Sequence, residues 1–290
     1  MSYMSIQNLY QNQEVLMFRE LYALEKIHGT STHITFTHGE ETKFSSGGVK
    51  NHKSFVELFD REALAEAFKA VGCAKLVLYG EAYGGSIMKM SNTYGKQMKF
   101  IAFEVKIDDV WLAVPNAEDV AKQFGLEFVH YVKIPAELAA INEQRDIPSI
   151  QAMRNGMNKD MPREGTVLRP LIELRKNNDE RIMSKHKHDQ FRETKTPREV
   201  SPEKLAILAE ANAIADEWVT EMRLTHVLGK LPQGINVESA GLVVKLMIED
   251  VLKESKDEIV NSKEARKAIG RAAGQMFVKR VKSRLEELAV

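Results

Sequence analysis

The amino-acid sequence predicts an α+β protein, in which a domain rich in antiparallel sheet is followed by an all-α domain. Three observations support this prediction. Strand-like segments dominate up to about residue 190, whereas beyond residue 200 apolar residues recur only at the helical spacings of three and four. Between these regions, residues 196–202 form a polar linker that contains Pro197 and Pro202. The predicted domains are therefore residues 1–197 and 198–290.

The first domain contains strand-like segments, and several of them alternate in the half-buried pattern typical of antiparallel sheet. They cover residues 33–37, 75–79, 99–105, 128–134, 165–174 and 181–184. Helices are predicted among them. Ser54 and Glu57 form a capping box for a helix that runs to Val71. Asn116 can cap a second helix, and Pro135 suits the first turn of a third.

Helices alone are predicted in the second domain. Ser201 and Pro202 suit the N-cap and the first position of a helix whose apolar residues continue to Met222. A second helix is predicted over residues 240–252, and residues 261–264 cap a third. We interpret the methionine and aromatic residues on these helices as core residues.

Composition excludes several classes of function. The chain has 41 basic and 41 acidic residues, so any nucleic-acid-binding surface must be a local basic patch. The single cysteine, Cys73, cannot form an internal disulfide and is typical of a reducing compartment. No stretch approaches the roughly 20 apolar residues that span a bilayer, and charged residues interrupt any N-terminal signal peptide. We therefore expect a cytoplasmic protein without a membrane partner.

A lysine is the first candidate for chemistry. Glu25-Lys26-Ile27-His28-Gly29 follows the apolar residues 21–24 and precedes a predicted strand, which places Lys26 at the lip of a hairpin-like turn. A lysine in such a place can act as a nucleophile if its neighbours favour the neutral amine. The fragment by itself also fits an exposed lysine in a turn.

Further candidates lie in the same domain. Glu81 stands at a strand end ahead of a glycine-rich turn, and Phe103 is an aromatic residue in a strand, able to stack on a base. Glu164 comes immediately before a strand. Lys185 and Lys187 are separated by one residue, so in a strand they project from the same face.

In this order, the five motifs resemble those of the covalent nucleotidyltransferases, the superfamily of ATP-dependent DNA and RNA ligases and mRNA capping enzymes. Glu-Lys-Ile-His-Gly-Thr (residues 25–30), Glu-Gly-Thr-Val-Leu-Arg-Pro (residues 164–170) and Lys-His-Lys (residues 185–187) are most similar to phage-type, nick-sealing RNA ligases of the type 2 family. The resemblance implies an ATP-grasp-like nucleotidyltransferase domain, and the helical tail resembles the C-terminal domain of that family.

The resemblance implies a role for each residue. Lys26 becomes covalently attached to AMP. Glu25 contacts the adenine and Phe103 stacks on it, while Ile27 and His28 complete the nucleotide site.

The remaining motif residues are implied to handle metal and phosphate. Glu81 holds the ribose or a metal-bound water, and Glu164 anchors a magnesium hydrate. Lys185 and Lys187 neutralise charge on the transferred phosphoryl group. ATP and Mg²⁺, or Mn²⁺, are the implied cofactors.

Two positions depart from the family pattern. Ser45-Ser46-Gly47 stands where the family usually has Arg-Thr-Gly, and Ser31 stands where it has asparagine. Both would touch the nucleotide or the incoming phosphate.

We therefore predict an ATP-dependent RNA ligase that joins RNA 3′-hydroxyl and 5′-phosphate ends through a lysyl-AMP and an adenylylated RNA end. Its expected partner is nicked duplex RNA or RNA with such ends. We expect a monomer that acts in RNA repair in a bacterial or phage-infected cytoplasm. One alternative is a DNA ligase or capping enzyme, although these usually carry an oligonucleotide-binding barrel. The other is a non-catalytic protein that binds nucleic-acid ends, against which the intact Lys26, Glu164, Lys185 and Lys187 argue.

Overall fold

The computed structural model describes residues 3–176, 178–192, 196, 199–229, 231, 239–256 and 258–288. The chain divides into two compact units, Met1–Arg198 and Glu199–Val290. The predicted domain boundary, residues 197 and 198, lies outside the described residues. The first unit combines antiparallel sheets with helices and the second is helical, so the predicted α+β fold class is confirmed.

The described part of the first unit is built on two antiparallel sheets with helices around them. Its strands are β1 (Glu20–Lys26), β2 (Thr30–Thr37), β3 (Lys43–Ser45), β4 (Lys75–Gly84), β5 (Met98–Ile107), β6 (Val110–Trp111), β7 (Tyr131–Pro135), β8 (Gly165–Pro170) and β9 (Ser184–Lys187). Its helices are α1 (His52–Val56), α2 (Arg61–Val71), α3 (Ser91–Tyr94), α4 (Val114–Gln123), α5 (Leu138–Asp146) and α6 (Ile150–Arg154). Short 3₁₀ segments cover Glu14–Met17, Ile87–Lys89 and Asp189–Phe191.

The strand order is β7-β1-β8-β9 in one sheet and β3-β2-β4-β5-β6 in the other. The predicted hairpin-like turn around Lys26 is therefore wrong, because β1 and β2 belong to different sheets. Lys26 is the last residue of β1, and the chain crosses to the second sheet before Thr30. The turn thus joins the two sheets where their strands end.

Helix caps explain why the predicted helix up to Val71 is two helices. The Asn51 side chain accepts a hydrogen bond from the Ser54 N–H and caps α1, and the Asp60 carboxylate accepts from the first turn of α2. Gly72, in the left-handed region at φ 70°, ends α2.

Several predicted boundaries shift by a few residues. Asn116 lies inside the first turn of α4 rather than capping it, because Pro115 already occupies the start of that helix. Pro135 ends β7 instead of opening a helix. The strand predicted at residues 165–174 ends at Pro170, and the one predicted at 181–184 begins at Ser184.

The described part of the second unit contains α7 (Pro202–Trp218), α8 (Glu221–Gly229), α9 (Ala240–Glu254) and α10 (Lys263–Leu288). The helix predicted to reach Met222 ends earlier, because Val219 is extended and Thr220 Oγ1 accepts a hydrogen bond from the Arg223 N–H at the start of α8. Buried apolar residues of α9 and α10, among them Val243 and Phe277, form its core. No helix within the described ranges has both the length and the apolar character needed to cross a bilayer.

Candidate active site

Lys26 and Glu164 form an ion pair where two neighbouring strands meet. Lys26 lies opposite Gly165 of β8, and its Nζ is 2.8 Å from Glu164 Oε2. Lys187 Nζ is 3.1 Å from the other carboxylate oxygen, and His28 Nδ1 is 3.3 Å from Oε2. The Glu164 side chain is only 3% exposed, whereas that of Lys26 is 24% exposed. The carboxylate is thus enclosed by nitrogen donors while the amine remains accessible.

Two glycines allow the main-chain segments around Lys26 and Glu164 to approach their neighbouring strands closely. Gly165, at φ 149°, lies so near β9 that a Cβ would be 2.2 Å from the His186 carbonyl oxygen. A Cβ on Gly29 would be 2.2 Å from the Ala82 carbonyl oxygen of β4. Any side chain at either position would push apart the strands that carry Glu164, Lys187 and Glu81.

The pKa values of Glu164 and Glu81, two acidic side chains near Lys26, are shifted in opposite directions. Burial acts to raise the pKa of Glu164, but the hydrogen bond from His28 and the charges of Lys26 and Lys187 lower it to about 2. Burial raises the pKa of Glu81 to about 7 against the attraction of Lys26. Glu164 is therefore a fixed anion at neutral pH, while Glu81 can exchange a proton there.

A cavity of about 250 Å³ opens beside Lys26. Phe103, from the five-stranded sheet, and Val167, from the four-stranded sheet, both supply apolar surface to its lining. Lys26 and Lys185 supply positive charge. The cavity is lined by Tyr3, Met4, Ser5, Ile6, Leu24, Glu25, Lys26, Ile27, Ser31, Glu81, Phe103, Glu104, Val129, Val167, Arg169, Met183 and Lys185. Such a cavity suits a ligand with a flat apolar part and an anionic part.

Glu25 is placed differently from the other sequence-predicted residues. Its carboxylate is buried and accepts hydrogen bonds from Ser149 Oγ at 2.5 Å and the Gln151 N–H at 3.2 Å, with Arg163 at 3.9 Å. Burial raises its pKa, and Arg163 and these hydrogen bonds oppose the rise. Because this carboxylate already has protein partners, a contact from Glu25 to a base would come from its main chain.

The remaining predicted residues surround the cavity or Glu164. Ile27, which is 4% exposed, and Glu81 line the cavity beside Lys26. Lys185 and Lys187 both face this side of β9, since Lys185 lines the cavity and Lys187 contacts Glu164. His186, between them, points away toward α5.

One of the positions that depart from the family pattern belongs to the cavity. Ser31 lines it, and Gly47, in the left-handed region at φ 51°, lies against the Ser31 carbonyl. Ser46 Oγ is 3.0 Å from His52 Nδ1. Ser31 thus places a hydroxyl group at the cavity where the family pattern has asparagine.

Sequence reasoning missed the buried charges next to Phe103. Glu104 is 0% exposed, and both Arg169 and Arg181 form ion pairs with it. Arg169 was part of a recognised motif, but nothing in the sequence relates it to Glu104. No sequence pattern singled out Tyr3, which also lines the cavity, because the residues that it contacts lie on strands far away in the sequence.

The residues present fit a divalent cation held mainly by a substrate. Within the described ranges, no group of three or more His, Cys, Asp or Glu side chains could hold a metal by itself. Glu81 and Glu164 supply two carboxylates near the cavity. Mg²⁺ is commonly bound through one or two carboxylates together with substrate phosphates and water.

An accessible lysine beside a buried carboxylate, a cavity with apolar lining and two further lysines are the groups that the sequence motifs predict for a nucleotidyltransferase. A family-wide sequence profile described as RNA ligase matches residues 19–187, which is more than half of the chain. The chain belongs to the RNA ligase family.

Solved structures show the same fold. The chain is similar to RNA ligase of Naegleria gruberi, in a mutant solved with ATP and Mn, at 17% identity and a TM-score of 0.51. It is similar to another mutant of that enzyme with AMP and Mn, and to that enzyme with PPi, both at 16% identity and a TM-score of 0.51. These matches cover 66% of this chain and 56 to 57% of the Naegleria chains. This chain thus spans just over half the length of those enzymes. No curated protein sequence matches it.

Proposed function

We propose that this protein is an ATP-dependent RNA ligase that acts through a lysyl-AMP intermediate on Lys26. One observation carries the proposal: the amine of Lys26 faces a cavity with apolar walls while a permanently charged carboxylate, Glu164, holds it in place. Membership of the RNA ligase family, and the ATP, AMP and PPi in the similar Naegleria structures, support it.

The first step transfers AMP to the enzyme. The nitrogen lone pair of Lys26 attacks the α-phosphorus of ATP, the bond to the β-phosphate oxygen breaks, and pyrophosphate leaves. The amine loses its proton and the product is a phosphoramidate. Attack also requires the amine of Lys26 to leave its ion pair with Glu164, which another cation bound at that carboxylate would allow.

A divalent cation fits that requirement. Glu164 and Glu81 would hold it together with phosphate oxygens and water. When bound, it neutralises charge on the phosphates and polarises the α-phosphoryl group. Lys185 and Lys187 add fixed positive charge at the same side of the cavity.

The base would occupy the slot between Phe103 and Val167, which come from opposite sheets. An aromatic ring on one side and a branched aliphatic side chain on the other suit a flat purine. Ile27 would complete the apolar wall, and His28 would keep Glu164 oriented.

AMP then passes from Lys26 to the 5′-phosphate of RNA, which gives a phosphoanhydride, and the 3′-hydroxyl attacks that phosphate and expels AMP. The phosphoanhydride activates the RNA end, because AMP is a good leaving group. We propose nicked duplex RNA, or RNA with such ends, as the partner of a monomeric cytoplasmic enzyme in RNA repair.

Helix α10 supports the choice of a nucleic acid as partner. Over residues 263–283 it carries a single acidic residue, Glu264, and these basic residues: Lys263, Arg266, Lys267, Arg271, Lys279, Arg280 and Lys282. In contrast, acidic residues outnumber basic ones on α7 and on α9. Although the whole chain is neutral, its charge is therefore segregated, and the basic helix suits a polyanion.

Labelled nucleotide tests the proposal. The protein is incubated with Mg²⁺ and either α-labelled ATP or α-labelled GTP, then denatured and separated by size. We expect label from ATP on the protein. Label from GTP alone would indicate a capping-type enzyme, and no label from either nucleotide would indicate a non-catalytic end-binding protein.

A further inference from the structure

The first described residues of the chain form part of the nucleotide cavity. Residues 3–9, here called the N-terminal strap, are held on β9 by main-chain hydrogen bonds. The Leu9 N–H donates to the Lys185 carbonyl at 2.8 Å, and the Lys185 N–H donates to the Gln7 carbonyl at 2.9 Å. Leu9 is completely buried and Tyr3, at the other end, lines the cavity. The strap is thus fixed to a strand that carries active-site lysines.

Tyr3 places its ring against Phe103. The two ring centroids are 4.9 Å apart with an interplanar angle of 75°, an edge-to-face arrangement. The Tyr3 ring is also 5.2 Å from that of Tyr79 on β4 and 6.1 Å from that of Trp111 on β6. Tyr3 therefore fills the space beside Phe103 that would otherwise let its ring turn.

The hydroxyl group of Tyr3 is anchored as well. It donates a hydrogen bond to Glu104, the residue next to Phe103 in β5. Arg169 and Arg181 both form ion pairs with Glu104, which keeps this acceptor charged and in place. Burial and Glu104 raise the pKa of Tyr3, so its hydroxyl stays protonated and remains a donor. Ring and hydroxyl together attach the strap to two consecutive residues of one strand.

We propose that Tyr3 is a positioning residue that fixes the Phe103 ring for the nucleotide base and so determines the affinity for ATP and the preference for ATP over GTP. This inference rests on the proposed function, in which Phe103 stacks on the base. Purines share their flat faces and differ at their edges. A pocket can distinguish those edges only when the plane of the base is held to a fraction of an ångström.

Replacement of Tyr3 tests this inference through steady-state AMP uptake. We expect Tyr3→Leu to raise the KM for ATP about 3- to 10-fold, the range expected for loss of one aromatic pair, with kcat nearly unchanged. The ratio of kcat/KM for ATP over GTP should fall. Tyr3→Phe keeps the ring contacts and should change the KM less than about 3-fold. Tyr10→Leu, a change of the neighbouring tyrosine outside the cavity lining, should leave both quantities at the wild-type values.

A second measurement separates binding from chemistry. ATP affinity is measured by calorimetry in a Lys26→Ala background with and without Tyr3→Leu, and the Tm of each protein is recorded. Weaker ATP binding by the folded double variant supports the inference, whether or not the wild type takes up AMP. Unchanged affinity and unchanged selectivity overturn it, and a lower Tm alone would make Tyr3 a purely structural residue. Absence of AMP uptake by the wild type would instead reject the proposed function.

Discussion

The two units of the molecule differ in whether they bury charged side chains. The first unit buries ionisable side chains: each of the following is at most 3% exposed, namely Glu25, Glu104, Arg163, Glu164, Arg169 and Arg181. Within the described ranges of the second unit, the buried polar residue is Ser255, and charged side chains lie toward the surface. Buried charge is costly unless it is paired, so the first unit must specify partners that a helical core does not need.

The pairs within the first unit differ in what they leave accessible. Glu104 is enclosed by Arg169 and Arg181 and completes a rigid support under the cavity wall. Glu164 is equally buried, but its partner Lys26 keeps a side chain that is 24% exposed. A buried carboxylate with an accessible amine as its partner leaves that amine free to meet a substrate. A buried carboxylate whose cationic partners are also buried instead holds the surrounding strands in place.

The largest effect is expected at Lys26. Lys26→Arg keeps a positive charge near Glu164 but removes the proposed nucleophile, because arginine stays protonated near neutral pH. We expect complete loss of covalent AMP uptake with an unchanged circular-dichroism spectrum. If labelled AMP still attaches to the Lys26→Arg protein, the nucleophile lies elsewhere. The accessible partner of Glu164 would then not distinguish it functionally from Glu104.

The next effect is expected at Glu164. Glu164→Gln keeps the shape but removes the charge that binds Lys26, Lys187 and the proposed cation. We expect AMP uptake to fall by about 100-fold or more, the scale of losing one oriented electrostatic group in a site. Added Mn²⁺ should restore part of it.

Glu118→Gln provides the matched control, since Glu118 pairs with Lys122 and Tyr131 away from the cavity. Equal activity of Glu164→Gln and wild type across a Mg²⁺ titration would show that the cation is held by other groups.

A smaller effect is expected for the surface charge of the second unit. Lys267, Lys279 and Lys282 are exposed and lie within about 120° on one side of α10. Changing all three to Glu should weaken binding of nicked duplex RNA at least about tenfold. It should reduce the dependence of log K on log salt by about 0.9 for each lysine that contacts phosphate. AMP uptake, which the proposed function assigns to the first unit, should stay at the wild-type rate.

The same charge change on other helices of that unit is the control. Lys204, Lys245 and Lys253 lie on α7 and α9 among acidic residues, and their triple change to Glu alters the net charge equally. If both triple variants bind RNA alike, the binding is a response to net charge and α10 has no special role.

The sequence predicted which side chains lie near Lys26 better than it predicted the partners of those side chains. The spacing of two along β9 correctly indicated that Lys185 and Lys187 share a face. In contrast, no pattern indicated that β1 and β2 belong to different sheets, because pairing of strands is decided by distant partners such as β8. The position of the Glu25 carboxylate against Ser149 was equally hidden, since residues 124 apart in sequence share no local signal. The predicted helix boundaries were wrong where a capping residue determines the end of a helix, as at Asp60 and Val219.

The smallest effect is expected in the pH dependence of stability, and it should arise in the first unit. His186 Nε2 is 2.8 Å from Asn142 Oδ1 and 3.0 Å from Arg145 Nη1. Burial and the charge of Arg145 lower the pKa of His186 from 6.5 to about 4. Protons therefore bind the unfolded chain more readily between these values, so the contribution of His186 to stability is fully present above pH 6.5 and is lost as the pH falls toward 4.

His186→Gln should reduce that loss, which for a group so placed is at most about 3 kcal/mol. The chain has two tryptophans, Trp111 and Trp218, so Trp218→Phe leaves fluorescence that reports on the first unit alone. Urea unfolding of this protein at pH 4 to 7 gives the free energy of unfolding with and without His186→Gln. His226→Gln, at an exposed position of α8 in the second unit, should keep the full pH dependence. If His186→Gln also keeps it, the acid sensitivity of the first unit arises from its buried carboxylates, with no contribution from this histidine.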